Sequence, residues 1–382
     1  MNDFIPFSFP EITSDEINEV IGVLKSGWLT SGPKVLEFEE EFVRYLDSDV
    51  QALAVNSATS GLHLALEAVG ISQGDEVIVP SLTFTATAEV VRYLGAEVKI
   101  VDIDPKTLNI SIESIKKAIT KRTKAIIAVH FAGLSCDMDS IFLLARENGL
   151  KVIEDAAHAL STEYKGKKIG TLESDATVFS FYANKNITTG EGGMIISRNK
   201  DLISRMKIMR LHGIDRDVYD RFNSKKPSWF YEVISPGYKY NMTDIAAAIG
   251  IHQLRKLPDF LKKRDILANR YYDDLADLPI VLPNKGSQSD IHSWHLFTLI
   301  LNNTNISRDE VIKVFSENGI GTSVHYIPLH KQPYWKKRYS LQDREFPVSE
   351  NVYNGIFSIP LYSLLTFKQQ DKIVRLLRSV LE

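Results

Sequence analysis

Several residues able to do chemistry stand in this sequence where apolar strands give way to loops. The segment Lys151-Val-Ile-Glu-Asp-Ala-Ala-His158 is an apolar strand that delivers Asp155 to its carboxyl end. A carboxylate there is poorly solvated unless it meets a cation, so Asp155 reads either as the cap of the next helix or as the partner of a buried cationic ring nitrogen. A second apolar strand ends at Ser180 and Phe181 and is followed by Lys185 and the run Thr189-Gly-Glu-Gly-Gly193. A lone lysine is ordinarily a solvated surface charge. This one sits at a strand end, where ligands collect in open α/β sheets, and one crossover after Asp155 brings the two strand ends together. In Asn56-Ser-Ala-Thr-Ser-Gly-Leu62, small hydroxyl residues lie between a strand and a helix. Thr59 or Ser60, with the first backbone N–H groups, would make an anion site or a plain helix cap. Ser180 would converge on the same anion, and Phe84 reads as core packing or as a cover for a flat ring.

Together these residues meet the needs of one cofactor. Pyridoxal phosphate requires a lysine for a Schiff base, an acid against the pyridinium nitrogen, a phosphate cup and a ring-stacking face. The acid keeps the ring nitrogen protonated, so that the ring accepts electrons from the substrate Cα. A lysine released from the cofactor is then a base for moving the Cα proton. The glycine-rich turn lacks the Gly-Lys-Ser/Thr ending of a P-loop, which excludes a nucleoside-triphosphatase reading.

The elements that must position these residues follow from periodicity. Thr13 caps a helix that stops near Gly27, and a second helix covers 34–46. From about residue 50 the chain alternates. Strands are expected at 52–55, 76–80, 97–103, 124–131, 151–155, 176–181 and 194–197. Helices are expected at 60–69, 85–94, 112–119 and 138–148. This is an α/β pattern with a mostly parallel sheet. Beyond Gly250 the pattern becomes α+β: helix over 251–275, strands at 294–301 and 322–326, helices at 308–318 and 369–381. The division is expected near residue 255, giving a cofactor-binding domain with its N-terminal arm (1–255) and a smaller domain (256–382).

Of the 382 residues, 44% are hydrophobic and 24% charged, and the net charge is −3. That is the balance of an ordinary soluble globular protein. The absence of a long basic block argues against a nucleic-acid surface, and no apolar run is long enough to span a bilayer. The single cysteine, Cys136, forbids an intrachain disulfide and suits a reducing, cytoplasmic setting. The N-terminus does not have the form of a signal peptide. No metal site is indicated.

The sequence resembles the DegT/DnrJ/EryC1/StrS aminotransferases, which act on nucleotide-activated sugars. The resemblance runs through ordered blocks along nearly the whole chain: 27–33, 56–62, 152–158, 179–185, 190–193, 237–244 and 325–330. It implies a pyridoxal-phosphate transferase fold of type I, like aspartate aminotransferase, and a homodimer with active sites at the subunit interface. By position, Lys185 would form the Schiff base, Asp155 would pair with the ring nitrogen, and His158 would sit by the ring hydroxyl, where many relatives have glutamine. Ala58, Thr59 and Ser180 would hold the phosphate and Phe84 would stack on the ring. The block at 237–244 would reach the phosphate from the other subunit. Many relatives have Asn-Tyr-Arg where this chain has Lys239-Tyr240-Asn241, so either Lys239 or Asn241 would make that contact.

Trp28, Thr30, His325 and His330 would line the sugar pocket, or would simply pack or bond within their loops. The basic group Lys331, Lys336, Lys337 and Arg338 would steer a diphosphate or form a solvated face. The Lys-Tyr-Asn variant and the His-Ala-Leu run after Asp155 look most like enzymes that aminate a UDP-linked 4-keto-pentose for lipid A, with UDP-4-keto-hexosamine enzymes as relatives. The implied amino donor is L-glutamate. Two rival readings are a sugar dehydratase of the same fold, which carries histidine in place of the lysine, and a regulatory protein without turnover.

Overall fold

The computed structural model describes residues 4–215 and 229–381. Helix α1 (Ser14–Ser26) starts at Thr13, whose hydroxyl and backbone are bound reciprocally with Glu16, and ends at Gly27, which takes the left-handed conformation that glycine adopts without strain. Helix α2 (Pro33–Leu46) has proline in its first turn, where a missing N–H costs nothing.

The chain then lays down strands β1 (Gln51–Val55), β2 (Glu76–Pro80), β3 (Glu97–Val101), β4 (Thr123–Val129) and β5 (Lys151–Asp155), a short hairpin of β6 (Glu163–Tyr164) and β7 (Lys167–Lys168), and strands β8 (Ala176–Ser180) and β9 (Gly193–Ser197). Seven of them form one sheet in the order β1-β9-β8-β5-β4-β2-β3. The pairs from β3 through β8 are parallel, and β9 runs antiparallel to both β8 and β1. Alternate residues of one strand enter opposite cores, as the two-residue period requires: Ile126 and Ala128 pack on one face, Ala125 and Ile127 on the other.

A helix of 32 residues, Asp244–Leu275, leads out of this layer. The helical pattern in the sequence places its start at 251. The chain begins it seven residues earlier because Thr243 caps it, its side chain accepting from the Ala246 N–H, and because the Asp244 carboxylate accepts N–H groups from Gly32, Lys34 and Val35. The helix passes through residue 255 without a break. Leu254, Leu257 and Phe260 pack into the core of the large sheet, whereas Leu267, Tyr271 and Leu275 pack into a separate core with β11 (Phe297–Leu301) and β12 (Ile356–Ile359). With β10 (Ile280–Val281) these make a three-stranded antiparallel sheet. Ile5 of the N-terminal arm belongs to this second core.

The strand expected at 322–326 does not form. Only Ser323 pairs with a strand residue, exchanging two backbone hydrogen bonds with Ser358 (3.2 and 2.7 Å). The chain leaves the sheet edge there, and His325 and Tyr326 face a cavity instead. No helix among the described residues is long and apolar enough to cross a membrane.

Candidate active site

The carboxyl ends of β5 and β8 open into a cavity of about 420 Å³. It brings together Ala58, Thr59, Phe84, Asp155, His158, Ser180, Lys185 and His325 from the sequence reading, and adds Thr87, Tyr182, Asn184, Glu191 and Tyr326.

Each wall follows from local folding. Helix α3 (Ala58–Ala68) is capped by Ser57, whose hydroxyl accepts from the Ser60 N–H at 3.1 Å. Its first turn, with Ala58 and Thr59, therefore faces the cavity with backbone N–H groups that the helix itself leaves unpaired. The antiparallel return from β8 to β9 passes close behind this turn. A Cβ on Gly193 would lie 2.9 Å from the Ala58 nitrogen, the Phe179 oxygen and the Ser57 carbonyl carbon. All three are backbone atoms, so no side chain can move aside. Gly193→Ala is expected to lower unfolding stability by roughly 1–3 kcal/mol, the usual range for overpacking, and, with Ala58 and Thr59 expected to hold the cofactor phosphate, to weaken cofactor binding at the same turn. Thermal unfolding with and without pyridoxal phosphate measures both effects.

Asp155 is buried at the end of β5. Thr87 Oγ1 donates to it at 2.8 Å and the Ala157 N–H at 3.2 Å. Burial raises its pKa above the usual carboxylate value, while Thr87, Ala157 and the nearby Lys185 charge act against that rise. The site thus holds an acid short of one close cation. Lys185 stands on the loop after β8, its backbone N–H bonded to the Tyr182 carbonyl at 2.9 Å. By area it is half-buried because it faces the cavity. Protein on its other sides lowers its pKa to about 8, with the Asp155 charge opposing. Among the described residues no hydrogen bond or ion pair reaches its ammonium.

His158 is buried and neutral: burial, then the Lys185 and His325 charges, hold its pKa well below the usual value. Its Nδ1 accepts the Ala132 N–H at 3.3 Å, so its proton resides on Nε2, 2.9 Å from the Tyr326 hydroxyl. His325, on the same wall, is bonded through Nδ1 to the Ser358 hydroxyl at 3.0 Å, and burial holds its pKa down to about 3. Phe84 is 59% exposed because its ring stands against the cavity, with the Tyr326 ring 5.9 Å away.

Other expected site residues lie elsewhere. His330 is fully buried, stacked on Phe346 at 4.3 Å, with Nε2 bonded to Glu350 at 2.7 Å. It lies outside the cavity of its own chain, because the chain between it and His325 turns under the sheet, where the Leu329 N–H bonds the Ser81 carbonyl. Trp28 Nε1 donates to the Ser31 carbonyl at 3.1 Å, the Thr30 carbonyl accepts the Asp244 N–H, and neither residue lines the cavity. Asn241 donates to the Ser31 hydroxyl at 2.8 Å and Lys239 is exposed, so both lie outside the cavity of their own chain. The basic group of the last domain is largely engaged in ion pairs: Lys331 with Glu350, Lys336 with Asp343 and Arg338 with Glu97, at 2.8 to 2.9 Å.

Thr87 and Tyr326 also enter the site; Thr87 follows Phe84 by less than one helical turn and Tyr326 directly follows His325. Nothing local marks either hydroxyl, since Thr87 meets Asp155 and Tyr326 meets His158 only in the fold.

The DegT/DnrJ/EryC1/StrS aminotransferase family model matches residues 10–378. The spore coat polysaccharide biosynthesis protein SpsC of Bacillus subtilis is 43% identical over 384 residues, covering all of this chain and 98% of that protein. Among solved structures, Spr1654 of Streptococcus pneumoniae in its PMP form superposes with a TM-score of 0.92 at 33% identity, covering 98% of each chain, and it is also solved in a PLP form. Helicobacter pylori PseC, an aminotransferase involved in pseudoaminic acid biosynthesis, matches with a TM-score of 0.90 at 29% identity over 99% of each chain. With a large, mostly parallel sheet carrying a lysine and a buried acid on one cavity, and with these matches along its length, the chain belongs to the DegT/DnrJ/EryC1/StrS family and is a pyridoxal-phosphate-dependent sugar aminotransferase.

Proposed function

We propose that the protein moves an amino group from L-glutamate to the 4-keto position of a nucleotide-linked sugar, with UDP as the nucleotide, on a route to a surface polysaccharide, lipid A or a related glycan. The observation that carries the site assignment is the pairing in one cavity of Lys185, without a partner of its own among the described residues, and Asp155, a buried acid short of a cation. The residues fit pyridoxal phosphate. Gly193 leaves room for backbone at the Ser57–Thr59 turn, where the phosphate would be held with the Ser180 hydroxyl. Asn184 Oδ1 is buried without a partner in the same cavity. Phe84 offers an exposed ring face.

When bound, the cofactor serves as the electron sink that lets an amino group leave one carbon and join another. The protein's own residues do the rest. Lys185 anchors the cofactor and, once released, carries the proton between substrate and cofactor carbons. Asp155 holds the ring nitrogen's proton, with Thr87 fixing its carboxylate. His158 would lie beside the ring oxygen. His325 lines the substrate side.

Because the lysine attacks as the neutral amine, capture of cofactor by the cofactor-free protein is expected to speed up as pH rises and to be half-maximal near pH 8. An ordinary lysine would still be gaining rate well above that value. Rapid mixing with pyridoxal phosphate across pH measures the midpoint.

The reading includes a homodimer in the cytoplasm. α1 presents Ile17, Ile21 and Leu24, all more than 35% exposed, on one face at helical spacing, which is the form of a covered surface. Lys239 and Asn241 would serve the partner's cavity, since they miss their own. Sedimentation of the purified protein at a dimer's mass supports this, and a monomer at assay concentration contradicts it. The activity itself is tested by incubating the protein with L-glutamate and UDP-4-keto sugars. Appearance of a UDP-amino sugar with one 2-oxoglutarate per turnover is the expected result. Loss of water from the sugar with no gain of nitrogen would overturn it.

A further inference from the structure

The Tyr326 hydroxyl stands on the cavity wall beside His158. The geometry around it fixes which way it donates. The His158 ring accepts the Ala132 N–H at Nδ1, so its single proton is on Nε2 and points at Tyr326 Oη, 2.9 Å away. The phenol oxygen is therefore the acceptor of that bond, and its own proton is turned elsewhere. Among the described residues the Tyr326 hydroxyl has no other hydrogen bond, and Tyr326 lines the cavity.

We infer that Tyr326 is a fixed hydrogen-bond donor to the ring oxygen of the bound cofactor, and that His158 is the positioning residue that aims it. The inference rests on the reading that Lys185 carries the cofactor with Asp155 at its ring nitrogen. In pyridoxal phosphate the ring oxygen is attached next to the carbon that the lysine takes, on the side away from the phosphate arm. His158 is near enough to Lys185, and Tyr326 to Asp155, for those charges to act on them. Tyr326 thus stands by the part of the ring that lies between the lysine and the acid. The Tyr326 ring is held against Phe84 at 5.9 Å and nearly parallel to His158 at 6.0 Å, which limits its freedom to turn away. The charged and titratable groups facing the hydroxyl are Asp155, Lys185, His158 and His325, with Glu191 on the same cavity. Burial keeps the phenol protonated and both imidazoles neutral, so the donor persists across ordinary pH.

A donor to the ring oxygen stabilises negative charge there. That charge is fullest when the nitrogen joining Lys185 to the cofactor has lost its proton. The donor therefore lowers the pH midpoint of the cofactor's colour change, and its removal raises it. A hydrogen bond to a charged oxygen corresponds to a shift of roughly one to two pH units. The test is the pH titration of the visible absorption of the loaded enzyme, together with the Kd for pyridoxal phosphate, in the wild type, Tyr326→Phe and His158→Ala.

The phenylalanine variant keeps the ring packed and removes only the hydroxyl. Its midpoint is expected to rise by about one unit or more, with weaker cofactor binding. His158→Ala is expected to shift it in the same direction by less, since Tyr326 stays but is no longer aimed. A larger shift in His158→Ala than in Tyr326→Phe would make His158 the direct donor and overturn the inference. An unmoved midpoint in Tyr326→Phe with a raised KM for the sugar alone would place the hydroxyl on the substrate and also overturn it. If Tyr326→Phe does not hold its fold, a shift of about two units or more in His158→Ala overturns the inference and a smaller upward shift supports it. A wild type that takes up no coloured cofactor would instead sink the assignment of Lys185 itself.

Discussion

Lys185→Ala is expected to leave no measurable transamination. On the proposed reading one side chain has two tasks, anchor and base. Loss of a positioned general base alone costs on the order of 10²–10⁴-fold, and loss of the covalent anchor adds to that. The fold should survive. Lys185 makes no side-chain hydrogen bond or ion pair among the described residues, and its backbone bond to Tyr182 is untouched by the change. Removing an amine that burial has pushed down to about 8 also relieves a desolvated charge, so the cofactor-free variant should melt no lower than the wild type. Amino-group exchange with glutamate and thermal unfolding of the same preparation check both statements. Full activity in the variant would show that the nucleophile is elsewhere.

Asp155→Asn is the second large effect, and its sign differs between the loaded and the cofactor-free protein. In the loaded enzyme the carboxylate would, on the proposed reading, face a protonated ring nitrogen, and replacing it with a neutral amide is expected to lower kcat on the order of 10²–10³-fold, the cost of removing one preorganised electrostatic contact. Pyridoxal phosphate should also bind more weakly. In the cofactor-free protein the same carboxyl is buried and short of a cation, and burial is the largest influence on it. Asparagine has the same shape and its oxygen still accepts from Thr87, but its NH2 then faces the Ala157 N–H and the 3.2 Å bond there is lost. Relief of the buried charge is expected to offset that single bond, so the cofactor-free variant should be as stable as the wild type or more so. The stabilisation conferred by added cofactor, which follows its affinity, should shrink. A variant that loses stability equally with and without cofactor would mark Asp155 as a structural acid.

The sequence carried the large sheet well because its strands are short apolar runs set between helices with recognisable caps. Thr13 with Glu16, and Gly27, mark the ends of α1, and Asp155 and Lys185 fall at strand ends where the topology brings β5 and β8 side by side. What it did not carry depends on distant contacts. The start of the long helix is held by Asp244 bonding backbone more than two hundred positions away. The apparent strand at 322–326 alternates like one, yet has a single pairing partner. His325 and His330 look equivalent in sequence, and only packing separates them: one faces the cavity, and the other is enclosed between Phe346 and Glu350. Thr87 and Tyr326 acquire meaning only through partners, Asp155 and His158, that lie far along the chain.

On the proposed reading Lys185 holds pyridoxal phosphate and gives it up to an amino donor. The visible absorption spectrum of the purified protein, before and after L-glutamate, tests it most directly when run beside Lys185→Ala. A yellow band is expected in the wild type, bleaching with glutamate and absent from the variant. A wild type that stays colourless after addition of pyridoxal phosphate, or a variant that shows the same bleaching band, would contradict it.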